Sequence, residues 1–238
     1  VTVSANTVVV TEAIQVVDGG TAADQQAAVG SDSEGNVHIV WTRNNLHLYY
    51  SMISPRGDTL IDTTQITNPG LHKIWHPDMV IDEMDRVHIV WTDKASQHKI
   101  VYTVLNPWAA PMDGSASDDG TLSAIDDHVV SMRAQNRDWP SIDLDSQGNA
   151  HIVWEDSYDE LQRFFNQPQI YYTMLQPDVS TGSVVTLFDD TLLTPIIGHK
   201  GHPDVVVDAN DYVQIAWDDT RGGKVELAFI VDTSGSMY

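Results

Sequence analysis

The heptapeptide Gly148-Asn149-Ala150-His151-Ile152-Val153-Trp154 has three counterparts elsewhere in the chain, which end at Trp41, Trp91 and Trp217. Counted back without gaps from each tryptophan, an aspartate recurs at Asp32, Asp82, Asp145 and Asp208. In the same register, Gln26, His76, Trp139 and His202 coincide. Self-similarity in a constant register indicates a repeat protein. We therefore expect four copies of one structural unit.

Each copy contains four short segments that favour β-strands, separated by turn residues. Residues 203–208 represent the first strand, the segment ending in tryptophan is the second, residues 48–53 represent the third and residues 63–67 the fourth. No segment keeps a helical period over three turns. Four short strands per repeat are typical of a β-propeller blade. The sequence therefore predicts an all-β fold.

We predict one domain over residues 1–238, a four-bladed β-propeller. Its blades are expected at about 26–67, 76–131, 139–194 and 202–238. The last copy ends before a fourth strand, and residues 11–20 align without gaps with residues 61–70. We therefore expect residues 8–17 to pair with residues 225–231 and close the ring, which hides an exposed sheet edge. The alternative is an open four-blade half-ring that dimerises.

Composition excludes several classes of function. Acidic residues outnumber basic ones 34 to 12, for a net charge of −22. Nucleic acid is therefore not expected as a partner, because phosphate contacts need clustered Lys and Arg. No apolar run reaches the length of a membrane span. Residues 1–10 lack the basic start and apolar core of a signal peptide, so none is expected in this chain. The absence of cysteine excludes disulfides and thiolate metal sites.

One face of the predicted propeller collects the loops that follow the second and fourth strands. The candidate ligand-binding residues on this face are Trp75, His76, Trp139, Tyr158, Arg163, Phe164, Phe165 and His202. Exposed aromatics beside arginine suit a binding patch, and loops on a rigid scaffold often carry function. The alternative is that Phe164 and Phe165 only anchor their loop to the body.

Other repeated residues are expected to be structural. The four repeated tryptophans should pack between blades. We expect His38, His88 and His151 to form hydrogen bonds between sheets. Acids also recur at the end of the second strand, at Asp93, Asp156 and Asp219. We expect them to accept hydrogen bonds from backbone amides, and the alternative is that they bind cations.

Two cation sites are predicted. The run Asp232-Thr233-Ser234-Gly235-Ser236 resembles the Asp-x-Ser-x-Ser motif of von Willebrand factor A domains. The resemblance covers residues 225–237 and implies that Asp232, Ser234 and Ser236 hold a divalent cation and that such a domain follows in the natural protein. The further ligands of that family are absent here. Separately, we expect calcium or another hard cation on the propeller axis, near Asp78 or Asp204.

The repeat itself, over residues 11–231, resembles propeller modules of microbial secreted proteins. This resemblance implies an extracellular or cell-surface location. We expect a non-enzymatic module of the adhesion type that binds a protein or a glycan. The alternatives are a lectin-like glycan-binding propeller and an enzyme of the sialidase or glycosidase type. The enzyme alternative is disfavoured because the seven arginines are dispersed and no hydrolase motif occurs.

Overall fold

The computed structural model describes residues 13–17, 20–67, 73–95, 98–109, 122–131, 137–157, 167–194, 198–219 and 224–230. Apart from one 3-10 turn at Pro107–Ala109, the regular structure in these ranges consists of β-strands, which confirms the all-β prediction. None of the helical structure in the described part of the chain is long and apolar enough to cross a membrane.

The strands form four antiparallel sheets in chain order. Sheet 1 contains β1 (Asp24–Ser31), β2 (Val37–Arg43), β3 (His47–Ile53) and β4 (Thr59–Gln65); sheet 2 contains β5 (Ile74–Ile81), β6 (Val87–Asp93), β7 (Lys99–Leu105) and β8 (Ser123–Ser131); sheet 3 contains β9 (Arg137–Leu144), β10 (Ala150–Asp156), β11 (Gln169–Asp178) and β12 (Ser183–Leu192); sheet 4 contains β13 (Lys200–Val207), β14 (Val213–Asp219) and β15 (Lys224–Ile230). Within each sheet every strand pairs with the next one along the chain. Each sheet is therefore built as a meander.

The repeated aspartate organises the tight turn between the first two strands of each sheet. In sheet 3, Asp145 Oδ1 accepts hydrogen bonds from the amides of Gln147 and Asn149, at 2.9 and 2.8 Å. Gly148 adopts a φ of +77°, which glycine reaches without a steric penalty. Asp32, Asp82 and Asp208 accept equivalent bonds in the other sheets. This turn holds the first two strands in register.

The repeated histidines bond within their own sheet. In sheet 2 the Nδ1 atom of His88 lies 2.7 Å from the hydroxyl of Tyr102, and its Nε2 atom lies 3.2 Å from Asp82 Oδ2. Sheets 1 and 3 repeat this arrangement with His38 and His151. The prediction that these histidines form hydrogen bonds between sheets is therefore wrong. Adjacent strands of one sheet already bring the partners within hydrogen-bond distance.

The sheets stack face to face, and each has two distinct faces. We call the face with the repeated tryptophan the tryptophan face, and the opposite face, which bears Tyr50, Tyr102 or Tyr172, the tyrosine face. Trp91 packs with Val40 and Tyr50 of the preceding sheet. Trp154 and Trp217 also pack against the preceding sheet. Packing of these tryptophans between sheets is thus confirmed.

The described strands show no closure of a ring by hydrogen bonds. The first strands pack in the succession β1, β5, β9, β13, with no comparable contact between β1 and β13 among the described strands. In this part of the chain β15 pairs with β14 alone. Residues 13–17 form no strand, and Val16 and Val17 lie beside Trp41 of sheet 1. Closure by residues 8–17 is not seen in the described part, and residues 8–12 lie outside it.

Candidate functional site

All four first strands bulge at the same repeat position. The pairing with the second strand shifts there in each sheet. The residues at the bulge have left-handed backbones, with φ of +53° at Gln26, +50° at His76, +50° at Trp139 and +46° at His202. Non-glycine residues in this region carry strain, and such strain concentrates at functional sites. These four positions therefore direct attention to one end of the first strands.

The bulges bring the side chains of neighbouring sheets together. The ring of His76 stacks on Trp139 with centroids 3.6 Å apart, and His202 meets Trp139 edge-on at 4.6 Å. The amide of His76 donates to Gln26 Oε1 at 3.0 Å. Trp139 nevertheless remains 39% exposed. Its indole is thus a fixed aromatic surface open to solvent.

Four residues of the predicted ligand-binding face meet in this cluster. Trp75 lies beside His76, with ring centroids 5.9 Å apart, and Lys94 Nζ lies over the Trp75 ring. Trp139 and His202 complete the group. The other four predicted residues, Tyr158, Arg163, Phe164 and Phe165, lie outside the described residues.

Asp138 is a carboxylate held in its charged form. Its Oδ1 atom lies 2.6 Å from His76 Nδ1 and accepts the Trp139 amide at 3.1 Å, while Lys94 Nζ bonds its Oδ2 atom. Burial alone would raise the pKa of Asp138, but the hydrogen bonds and charges of His76 and Lys94 outweigh burial and hold this pKa below its usual value. Asp138 is therefore ionised at neutral pH.

Glu155 lies directly opposite Asp138, because the two residues are partners in the β9–β10 pairing. Its Oε2 atom accepts a long hydrogen bond of 3.3 Å from the amide of His202. Burial raises the pKa of Glu155, and the nearby negative charge of Asp138 raises it further. The pKa values of the two facing carboxyl groups are thus shifted in opposite directions. Pairs whose pKa values are pushed apart in this way are candidates for an acid and a base.

Asp218 of sheet 4 adds a third carboxylate. A Cβ atom at Gly201 would lie 2.8 Å from Glu155 Oε2 and 3.0 Å from Asp218 Oδ1, so glycine leaves both carboxyls room to approach. Asp218 Oδ2 lies 3.1 Å from His202 Nδ1. Asp218 Oδ1 is buried without a hydrogen-bond partner among the described residues.

The repeated acids one residue further along are structural. Arg137 and Asp156 form a buried ion pair of 3.1 Å, and Lys200 and Asp219 form one of 2.6 Å. Asp93 accepts from the amides of Lys73 and Ala95, which confirms the expected role there. For Asp156 and Asp219 the structure shows side-chain cations as partners. The basic residues start the paired first strand and lie too far away in sequence to be foreseen.

The chain carried a signal for the carboxyl cluster that the sequence reasoning missed. The residue after the repeated tryptophan is threonine in sheets 1 and 2, at Thr42 and Thr92, and both are fully buried. The same position holds Glu155 in sheet 3 and Asp218 in sheet 4. A departure from the repeat consensus toward an ionisable residue identifies these two. Asp138 carried no comparable pattern.

Of the predicted cation ligands, Asp78 and Asp204 lie in the described part of the chain. Asp78 Oδ2 accepts the amide of Ile142 at 3.0 Å, and Asp204 Oδ1 accepts the hydroxyl of Ser141 at 3.0 Å. Burial raises the pKa of Asp78. Both carboxyls thus link neighbouring first strands. Asp232, Ser234 and Ser236 lie outside the described residues. Across the described ranges, no three His, Cys, Asp or Glu side chains cluster as metal ligands.

Comparisons with known proteins bear on the fold. No model of a protein family matches the sequence, and no curated protein matches it. A thermostable family-43 glycoside hydrolase superposes with a TM-score of 0.51 at 12% identity, covering 91% of this chain and 72% of the hydrolase. An ulvan lyase of a polysaccharide lyase family gives 0.57 at 9% identity, covering 87% of this chain and 51% of the lyase. A Hadza microbial sialidase gives 0.57 at 10% identity, covering 87% of this chain and 44% of the sialidase.

These comparisons correct two expectations. The prediction of a non-enzymatic adhesion module is wrong, and so is the prediction that the chain is not an enzyme, because these three solved structures with a similar fold are a hydrolase, a lyase and a sialidase. The carboxyl groups of this cluster come from separate strands, so no contiguous sequence motif marks them. At such low identity the likeness establishes the fold, a β-propeller-like stack of antiparallel sheets.

Proposed function

We propose that this protein cleaves glycosidic bonds. The observation that carries the proposal is the pair Asp138 and Glu155, which face each other across two strands while their pKa values shift in opposite directions. Glycoside hydrolysis generally uses two carboxyl groups, one protonated and one ionised. The likeness to a glycoside hydrolase and a sialidase supports the same reading.

Glu155 is the proposed general acid. Its raised pKa keeps a proton available, and this proton passes to the glycosidic oxygen as the bond from that oxygen to the anomeric carbon breaks. The leaving sugar departs as an alcohol. Because Asp218 and the His202 amide lie beside its carboxyl, Glu155 is held at the sheet 4 side of the site.

Asp138 is the proposed general base. Its partners His76 and Lys94 belong to sheet 2, whereas Glu155 leans toward sheet 4. The partners of the two carboxyls thus lie in different sheets, and the proposed nucleophile is a water molecule bound between the carboxyls. Asp138 takes one proton from this water as its oxygen bonds to the anomeric carbon. His76 and Lys94 are positioning residues, because they act through Asp138.

Trp139 is the proposed sugar platform. Its exposed indole is fixed by His76 and His202 and follows directly after Asp138 in the chain. Pockets that bind small ligands combine such aromatic surfaces with a few oriented polar groups. A polysaccharide substrate agrees with the extracellular location expected from the sequence.

Glycan binding without cleavage is the second candidate, and the exposed Trp139 favours it. The two candidates differ in what they require of Glu155. A lectin-like protein needs the aromatic surface alone, whereas a hydrolase needs the carboxyl pair as well.

The test is a reducing-sugar assay on a panel of polysaccharides, run on the wild-type chain and on Glu155→Gln, Asp138→Asn and Trp139→Ala. For a hydrolase, the first two variants should each lose at least about 100-fold in rate, the lower end of acid–base catalysis. Matched controls are Glu34→Gln and Asp62→Asn, which change exposed acids away from the site. Binding to the same panel that is lost only in Trp139→Ala, with no cleavage by the wild type, would establish the second candidate instead.

For the architecture around this site we propose an open arc of four sheets in preference to a closed four-bladed ring. Among the described strands β15 pairs with β14 alone, and Val16 and Val17 line a cavity beside Trp41; both observations support this proposal.

A further inference from the structure

The tyrosine face of sheet 4 is uncovered, although the same face is buried in the other three sheets. Val225 is paired with Asp218 and is 79% exposed. Its repeat equivalents, Leu48, Ile100 and Ile170, are all 0% exposed. Leu227 occupies the position of the buried tyrosines and is 55% exposed. Sheet 4 therefore presents exposed apolar side chains at interface positions, and no other described sheet packs on them.

The tryptophan face of sheet 1 is open in the complementary way. Val29 is 66% exposed, whereas its equivalents Met79, Ile142 and Val205 are buried. Val16 and Val17 line a cavity together with Ile39 and Trp41 of this face. The first and last sheets thus each expose one apolar face, a tryptophan face on sheet 1 and a tyrosine face on sheet 4. Each interface between neighbouring sheets joins a tyrosine face to a tryptophan face.

We propose that a second copy of this chain covers both faces. The tyrosine face of sheet 4 in one copy packs on the tryptophan face of sheet 1 in its partner, and the reverse contact closes a two-fold ring. The proposal continues an interface that the chain builds three times, with aliphatic and tyrosine side chains on one side and tryptophan on the other. Exposed apolar patches of this kind mark protein interfaces. A closed arrangement also leaves no unsatisfied face for further growth.

A second copy fits better than the chain's own first sheet. Sheets that neighbour one another bring their first strands together, and β1 and β13 lack that contact among the described strands. The ring would also continue the series of left-handed positions. Within one copy these pass from Gln26 to His76, Trp139 and His202. A second copy would place its Gln26 position next to His202, at the edge of the carboxyl cluster. The inference stands independently of the proposed activity.

Sedimentation equilibrium of the 26.4 kDa chain over a range of concentrations tests the proposal. We expect a dimer. Leu227→Arg and Val29→Arg should each weaken dimerisation by at least about 100-fold, since each buries a charge at the centre of an interface. Leu187→Arg, which changes an exposed apolar residue of β12, is the matched control and should leave the dimer intact.

Mixing the two variants sharpens the test. Val29→Arg keeps an intact sheet 4 face, and Leu227→Arg keeps an intact sheet 1 face, so an equimolar mixture should form a mixed dimer through one good contact. A wild-type chain that stays monomeric at every concentration overturns the proposal. If the wild-type chain is a monomer and Leu227→Arg lowers its melting temperature, the faces of sheets 1 and 4 instead pack on each other within one chain. Equal dissociation by Leu187→Arg overturns it as well.

Discussion

Asp138 accepts a hydrogen bond from His76 Nδ1, and the His76 ring stacks directly on Trp139, the residue that follows Asp138 in the chain. One strained bulge therefore orients both the carboxylate and the aromatic surface. The charge on Asp138 depends on a sheet other than its own, because His76 and Lys94 both belong to sheet 2.

The rate should depend on pH through two carboxyl groups, Asp138 on the acidic side and Glu155 on the basic side. Asp138 must be ionised, and its pKa lies below the usual value, so the rate should fall only at strongly acidic pH. Glu155 must be protonated, and its pKa is raised, so the rate should fall as the pH rises through that value. Lys94→Met removes a group that lowers the pKa of Asp138 and should move the acidic limb to higher pH. The measurement is kcat/KM against pH. An acidic limb unchanged in Lys94→Met would contradict the assignment of Asp138 as base.

Gly201→Ala should impair the site while leaving the fold intact. The added Cβ would lie 2.8 Å from Glu155 Oε2, so the carboxyl must move. We expect the rate to fall about 10- to 100-fold, since a displacement of about 1 Å in a catalytic group has effects of that size. The melting temperature should change little. Unchanged kinetics would show that Glu155 need not stand where the structure has it.

Trp91→Ala should destabilise the protein by about 3–5 kcal/mol, the range for large buried aromatics. Trp91 is almost fully buried between sheets 1 and 2. Urea unfolding followed by circular dichroism measures the loss. Trp108→Ala is the control, because that side chain is 36% exposed. A loss below about 1 kcal/mol for Trp91→Ala, as surface substitutions give, would argue against the interface.

Acid should destabilise the fold through the buried histidines. Burial lowers the pKa of His88, although Asp82 opposes the shift, so the unfolded chain binds a proton more readily than the folded one. The free energy of unfolding should therefore decrease as the pH falls below the ordinary value of 6.5. The lowered pKa of Asp82 adds a further loss below its ordinary value of 3.8. Unfolding curves between pH 4 and 8 should show a smaller slope for His88→Gln than for the wild type. Equal slopes of unfolding free energy against pH in the two proteins would show that the acid sensitivity does not come from His88.

Much of the fold could be predicted from the chain, because the strands are meanders of short range. The alternation of side chains, the aspartate turns and the repeated tryptophan all act within one sheet, between residues close in sequence. Only part of the candidate site could be predicted from the sequence. Trp139 and His202 stood out by register, but Glu155 required comparison with Thr42 and Thr92, and Asp138 had no signal.

The amino-acid sequence alone determined the four repeats, their all-β character and the buried tryptophans, since these follow from local periodicity and turn chemistry. The tertiary structure decided the rest. Only the stacking of sheets brings Lys94 to Asp138 and Gly201 to Glu155. The opposite pKa shifts depend on burial and on charges from other sheets, which no local pattern encodes. The same stacking leaves Val225 of sheet 4 and Val29 of sheet 1 exposed, although their repeat equivalents are buried.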